Sequence, residues 1–418
     1  MGLAPLCEPK ALELEERVGA ATENLLVRGD NLAALEALLP RFEGRVDFVY
    51  VDPPFATGEH FGAFDDRWPD LDAYLAMLAP RLRALRALLS PRGSMVVHLD
   101  WHAGHLVRRM LGDLFGEDNS LGEIIWAYGS PSGGRAAGRK LVKAHDVLYW
   151  FARERGAHIF HPQRVPYSER YLRDWFRYVD DEGRRYRKRW RDGGRVERQY
   201  LDESPGMPLS SVWNDIQQVY ADPRAYKASV KSDVTGYPTQ KPVALLERLV
   251  GLASDPGGIV LDAFCGSGTT LVAAARLGRA FVGIDAQPRA VHVAHKRLVQ
   301  AGASFDVLAA EPAPEGAALA CRVRANQRGV EIELDDAAAA RADRWSVVAG
   351  KVTMAQCVRE RGKIARAITI AEIPTGAREV IVRCADAEGC VSEQRVHLRV
   401  ARSSTRKRSG TSNGFSMK

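Results

Sequence analysis

Val46-Asp47-Phe48-Val49-Tyr50-Val51 is a nearly unbroken apolar run that halts at Asp52-Pro53-Pro54-Phe55. Such a run is the pattern of a strand buried on both faces of a parallel sheet. Proline cannot donate to a ladder, so Pro53-Pro54 ends the strand and stiffens the loop after it. The pattern recurs about 210 residues later, where Gly258-Ile259-Val260-Leu261-Asp262-Ala263 leads into Phe264-Cys265-Gly266-Ser267-Gly268-Thr269-Thr270. It recurs again at Ala280-Phe281-Val282-Gly283-Ile284, which ends in Asp285. Three apolar strands that each finish at a carboxylate predict an α/β chain with a doubly wound, Rossmann-like sheet. Ligands of such sheets lie beyond the carboxyl ends of the strands.

The two loops suit different ligands. Gly266 and Gly268 permit a tight turn and close backbone approach, and Thr269 opens a helix whose first turn faces the ligand. Asp285 lies 19 positions after Gly266, near the spacing at which an acidic residue meets ribose hydroxyls. A nicotinamide fingerprint needs a third glycine where Leu271 stands, and a phosphate-binding P-loop needs a lysine that is absent. The Asp52 loop offers a carboxylate, a backbone carbonyl at Pro53 and a ring at Phe55. An exocyclic amine on a nucleic-acid base is a poor nucleophile because its lone pair is delocalised into the ring. Two N–H bonds, to Asp52 and the Pro53 carbonyl, let the nitrogen turn tetrahedral and aim that lone pair at a methyl sulfonium; the rest is orientation and electrostatics. Phe55 is placed to stack on a base flipped out of the duplex. Together the motifs point to methyl transfer from S-adenosylmethionine to a DNA amine.

These residues resemble the β-class DNA amino-methyltransferases, the permuted group in which the catalytic motif precedes the cofactor motif. The likeness is to adenine-N6 enzymes similar to Type III modification subunits, and it covers roughly residues 22 to 300. Asn24 to Leu32 resembles the family's opening strand. Asp52-Pro53-Pro54-Phe55-Ala56-Thr57-Gly58 resembles its catalytic loop, which more often carries Tyr and Asn where Phe55 and Ala56 stand. Tyr237-Pro238-Thr239-Gln240-Lys241-Pro242 resembles the segment beside the cofactor, and Ser211 to Ile216 resembles the family near the close of its recognition region. The resemblance implies Asp52, Pro53, Pro54 and Phe55 as catalytic residues. It implies Asp262, Phe264, Gly266, Gly268, Thr269 and Asp285 at the cofactor, with Asp30 near its adenine and Thr239 and Lys241 at its methionine end.

The net charge of +7 and pI of about 9.1 favour a polyanionic partner, here double-stranded DNA. The charge concentrates in Arg184-Arg185-Tyr186-Arg187-Lys188-Arg189-Trp190-Arg191, with further aromatics on both sides. Basic side chains bind phosphates or the guanine edge, and aromatics stack on displaced bases, so Arg184, Arg185, Arg187, Lys188, Arg189 and Arg191 are the candidate DNA contacts. The cysteines at 7, 265, 321, 357, 384 and 390 form no Cys-x-x-Cys pair. That pattern fits free thiols in a reducing, cytoplasmic setting. His98, His102 and His105 straddle a strand and a helix in a chemistry that needs no metal, so no metal site is assigned. No segment has the length and apolarity of a membrane span.

Along the chain, residues 1–21 read as an N-terminal extension, 22–152 as the catalytic half of the methyltransferase domain and 153–236 as the target-recognition region. Residues 237–305 read as the cofactor-binding half, 306–320 as a linker, 321–400 as a small β-rich domain, and 401–418 as a disordered basic tail. Segment 59–69 suits a mobile loop over the substrate, and Gly129 to Arg135 a flexible loop near DNA. Adenine N6 is the expected target. Cytosine N4 is the alternative, although cytosine enzymes of the permuted group usually resemble Ser-Pro-Pro at the catalytic loop. A catalytically silent DNA-binding subunit is a third reading, opposed by the intact carboxylates and glycines. No nuclease or helicase motif occurs in these residues, so DNA cleavage requires a separate restriction subunit; a homodimer is left open.

Overall fold

In the computed structural model the described residues are 11–62, 64–128, 141–219, 234–326, 329–360, 362–371, 377 and 379–398. The chain forms two compact units, Met1–Pro314 with Ala387–Cys390, and Glu315–Asp386 with Val391–Lys418.

The first unit contains strands β1 (Glu13–Val18), β2 (Leu25–Arg28), β3 (Val46–Val51), β4 (Leu89–Leu99), β5 (Ser120–Ala127) and β6 (His145–Ala152). Short strands follow: β7 (Arg164–Val165), β8 (Tyr178–Val179), β9 (Arg185–Trp190), β10 (Val196–Tyr200), β11 (Met207–Pro208) and β12 (Val212–Trp213). The unit closes with β13 (Ile259–Asp262), β14 (Ala280–Asp285) and β15 (Phe305–Ala309). Its helices are α1 (Asn31–Phe42), α2 (Leu71–Leu88), α3 (Gly104–Phe115), α4 (Glu169–Trp175), α5 (Val243–Ala253), α6 (Thr269–Arg276) and α7 (Pro288–Gln300).

The main sheet runs β12-β5-β6-β4-β3-β13-β14-β2-β15-β1. The stretch from β4 through β15 is parallel throughout. Both faces are covered, as the unbroken apolar strands require. Leu245, Leu249 and Val272 of α5 and α6 pack on one face, and Leu35, Leu78, Leu85 and Leu111 of α1, α2 and α3 on the other. From β3 the chain proceeds through α2 to β4 on one side; from β13 it proceeds through α6 to β14 on the other. Winding therefore reverses between β3 and β13, and the crevice opens at their carboxyl ends. In register, Asp262 pairs with Tyr50, which brings together two loops far apart in sequence.

Three expectations from sequence change. Residues 1–21 are not only an extension: β1 pairs antiparallel with β15. Its charged residues hid the strand; Arg17 bonds Asp306 at 2.7 Å and Glu16 is buried 3.6 Å from His295. The start of the expected linker at 306–320 belongs to β15, and the units divide after Pro314. In the segment expected to be mobile, Asp66 is buried and bonded to Phe55, Ala56 and Thr57 of the Asp52 loop. The 129–135 loop and the 401–418 tail lie outside the described residues.

Within 153–236, β8, β9 and β10 form an antiparallel sheet, β7 pairs with β11, and β12 joins the main sheet beside β5. The second unit has β16 (Cys321–Asn326), β17 (Gly329–Leu334), α8 (Asp336–Arg341), β18 (Arg344–Ala349), β19 (Val352–Val358), β20 (Ala367–Ile370), β21 (Glu379–Ala385) and β22 (Val391–His397). They form antiparallel sheets β16-β17-β20 and β19-β18-β21-β22 around Trp345, Ile332, Val347 and Val382. No helix among the described residues is long and apolar enough to cross a membrane.

Candidate active site

A cavity opens at the carboxyl ends of β3, β13 and β14. Asp52, Pro53, Pro54, Phe55, Thr239, Lys241, Asp262, Phe264, Gly266, Thr269 and Asp285 all line it. Two expected residues do not. Gly268 lies behind the wall at φ +75°, where a Cβ would come within 2.7 Å of the Ala294 Cβ; its absent side chain lets α6 and α7 approach. Asp30 caps α1 instead, accepting from the Leu32 and Ala33 N–H groups at 3.0 and 3.1 Å and pairing with Arg81 at 2.7 Å.

The glycine loop is held by carboxylates. Gly266 N–H donates to Asp285 Oδ2 and Gln287 N–H to Asp285 Oδ1, both at 2.9 Å. Phe264 N–H donates to Asp262 Oδ1 at 2.9 Å, and the Thr270 hydroxyl to Oδ2 at 2.5 Å. Burial pushes Asp285 up to about 6 despite its two N–H donors. Burial, with the neighbouring Asp52 and Asp285 carboxylates, pushes Asp262 up to about 7 despite its own donors. Such a cavity favours a ligand that brings hydroxyl donors or positive charge. Arg297, buried on α7, fastens the loop from behind through Ser267 O and Thr269 Oγ1, each at 2.8 Å. Nothing local in the sequence marks it, because its partners lie about 30 residues away.

Asp66 organises the catalytic loop. Its carboxylate accepts from the N–H groups of Phe55, Ala56 and Thr57 at 3.2, 2.9 and 2.9 Å, and from the Thr57 hydroxyl at 2.7 Å. This fan of donors holds Ala56 at φ +58°, a left-handed conformation that Asn tolerates better than Ala. The loop therefore keeps, with Ala, a shape for which Asn is better suited.

Asp52 itself is set by two unlike neighbours. Lys241 Nζ lies 2.5 Å from Oδ2. Oδ1 is buried and has no hydrogen-bond partner among the described residues; His98 Nδ1 lies 3.9 Å from it. His98 is fully buried, bonded to the Tyr50 hydroxyl at 2.7 Å, with Asp146 3.3 Å from Nε2. Burial opposes ionisation of Asp146, but His98 and Lys143 outweigh it and hold the carboxyl below its usual range. Among the described residues, no group of His, Cys, Asp and Glu has metal-holding geometry.

A second, more open cleft of about 1230 Å³ shares Phe55, Thr57, Phe61, Thr239, Gln240 and Lys241 with the first. Phe55 thus stands on the wall common to both.

The basic run forms β9. Arg184 is engaged by Asp202 and Glu203 at 2.9 and 2.6 Å, and Arg191 by Glu197 at 2.7 Å. Arg185 bonds the Phe176 and Leu172 carbonyls, and Arg187 the Gln199 side chain and Tyr171 hydroxyl. Lys188 and Arg189 are exposed and form no ion pair among the described residues; Trp190 beside them is 73% exposed.

Residues 46–296, more than half of the chain, match the DNA methylase family N6_N4_Mtase. The chain belongs to this family. Among relatives of this DNA methylase, the Type II methyltransferase M.EcaI of Enterobacter cloacae is 26% identical over 326 residues, covering 66% of this chain and 69% of that one. The StyLTI Mod subunit, part of a Type III restriction-modification enzyme of Salmonella typhimurium, is 22% identical over 326 residues, covering 60% of this chain and 49% of its own, so the DNA methylase spans about half of that subunit. A solved structure of TTHA0409 from Thermus thermophilus, complexed with S-adenosyl-L-methionine, is 22% identical, covers 68% of this chain and 99% of its own, and superposes with a TM-score of 0.42.

Proposed function

We propose that this DNA methylase transfers the methyl group of S-adenosylmethionine to N6 of an adenine flipped out of double-stranded DNA. The observation that carries this reading is Asp52: a carboxylate with one oxygen held by Lys241 and the other unpartnered among the described residues, beside Phe55 on the wall shared by the two cavities.

The smaller cavity fits the cofactor. A Cβ at Gly266, where φ is +48°, would meet the Tyr237 ring at 3.4 Å, so glycine keeps the floor open. Asp285 retains lone pairs for ribose hydroxyls, and Phe264 and Tyr237 supply apolar surface. The bound cofactor supplies an electrophilic methyl group on a positive sulfur. Asp52 Oδ1 and the Pro53 carbonyl accept the two amine N–H bonds and turn the nitrogen lone pair out of the ring plane. Lys241 fixes the Asp52 carboxylate so that it faces the base already oriented, which is the condition for electrostatic catalysis. Phe55 stacks on the base, and Asp66 keeps that ring at a constant distance from Asp52.

Lys188 and Arg189 carry phosphate contacts in this proposal, and the engaged arginines shape the β8-β9-β10 sheet that presents them. The test is transfer of a tritiated methyl group to unmethylated DNA, followed by nucleoside analysis. N6-methyladenine is the expected product. N4-methylcytosine would reassign the base, and absence of product would make the chain a silent subunit.

A further inference from the structure

Trp101, just beyond β4, is 61% exposed, yet its surroundings are built with care. Its ring stacks on His102 with centroids 3.8 Å apart and planes 25° from parallel. His102 is fixed in turn by Asp100, which bonds its Nδ1 at 2.9 Å and its N–H at 2.8 Å. Asp100 is 2% exposed and takes Lys143 Nζ at 3.0 Å. Lys143 also reaches Asp146 at 2.6 Å and lies 5.3 Å from the centre of the Phe55 ring. One lysine therefore links the support of Trp101 to the ring of the catalytic loop.

An exposed indole held on a buried ionic support is ordered before any ligand arrives, which lowers the entropy lost on binding. Trp101, His102 and Phe55 line the same open cleft. At about 1230 Å³ that cleft exceeds the roughly 300–1,000 Å³ of a small-molecule pocket, so it has room for more than the target base. Aromatic faces accept any base because every base has a π-face.

We propose that Trp101 is a second nucleobase-stacking surface, taking a base that neighbours the target on the bound DNA strand. The proposal rests on the reading that the target base lies on Phe55, and the two are separable by experiment. Binding is measured for a single-stranded oligo-deoxyadenylate and for an abasic strand of equal length, which keeps the phosphates and lacks the bases. W101A should weaken binding to oligo-deoxyadenylate by about 5- to 150-fold, the worth of one base–aromatic stack. Its affinity for the abasic strand, its thermal midpoint and its affinity for S-adenosylhomocysteine should not change. W101F should recover most of the loss. F55A tests the target-base reading alone, and its loss should add to that of W101A. Equal losses on both strands, or no loss on either, would overturn the proposal. So would a change in self-association with DNA binding intact, which would make Trp101 a contact between copies of this chain.

Discussion

Lys241 Nζ sits 2.5 Å from Asp52 Oδ2 although 189 residues separate them. The pair joins the segment before α5 to the end of β3 and leaves Asp52 Oδ1 without a hydrogen-bond partner among the described residues. Asp52→Ala should reduce methyl transfer by roughly a hundredfold or more, the scale for a preorganised transition-state contact. Affinity for S-adenosylhomocysteine should stay near that of the wild type. Single-turnover rates beside calorimetric titration measure both, and activity within a few fold of wild type would remove Asp52 from the mechanism.

Asp66 and Ala56 make a stability prediction of opposite signs. Asp66→Ala strands three backbone donors of the catalytic loop and should cost about 2–4 kcal/mol, since bonds to a charged group are worth about 1.5–3 kcal/mol each and act here as a set. Ala56→Gly should leave stability unchanged or raise it by up to about 1 kcal/mol, because relief of the left-handed backbone offsets the added chain entropy. Denaturant midpoints distinguish the two; a large loss from Ala56→Gly would mean the methyl group packs where the backbone argument gives it no role.

Asp285 links cofactor affinity to pH. Its pKa is raised to about 6 and that of Asp262 to about 7, so folding favours the neutral acid in both. The stability they contribute is full below the ordinary carboxylate value of about 3.9 and is lost as pH rises through about 6 and 7. Ribose hydroxyls donating to Asp285 favour the ionised form, so S-adenosylhomocysteine should bind more tightly as pH rises from 5 to 7 and then level off. Below pH 6 the affinity should fall by about tenfold per pH unit for a single proton. Asp285→Ala should remove that limb and weaken binding by about 1.5–3 kcal/mol. A flat profile in the wild type would place the ribose contact elsewhere.

The exposed cations of β9 should reveal themselves through salt. Replacing Lys188 and Arg189 with Gln should weaken DNA binding and lower the slope of log affinity against log salt by about 0.9 for each phosphate no longer neutralised. Arg184→Gln should leave the slope alone, because Asp202 and Glu203 already hold that guanidinium. Equal slopes for all three proteins would make the strand a solvated surface.

The α/β class, the methylase family and the two loops were legible because each is written in adjacent residues: an apolar run, a carboxylate, then prolines or glycines. What escaped lies in pairings across the chain. In sequence Asp66 stands beside Glu59 and Asp65 with nothing to set it apart, and only its fan of N–H donors distinguishes it. Lys241, expected at the methionine end, also bonds Asp52, a pairing across 189 residues that no local pattern signals. Asp30, expected near the adenine, also caps α1, a role that an Asp before an apolar helix commonly takes. In the basic run, charge could be counted from sequence, but not which arginines were already neutralised by Asp202, Glu203 and Glu197.

The order β3-β13-β14-β2-β15 has a consequence for synthesis. β2 and β3 emerge early, but the strands that must lie between them, β13 and β14, come more than 200 residues later. Until residue 262 has left the ribosome, β3 lacks its neighbour on the β13 side, and until residue 285 has followed, β2 has no parallel partner at all. The Asp52 carboxylate is thus made long before the sheet that positions it can close. Such long-range pairing is slow and leaves strand edges open, so a ribosome-bound chain stopped in the recognition region holds Asp52 but has no crevice in which to use it.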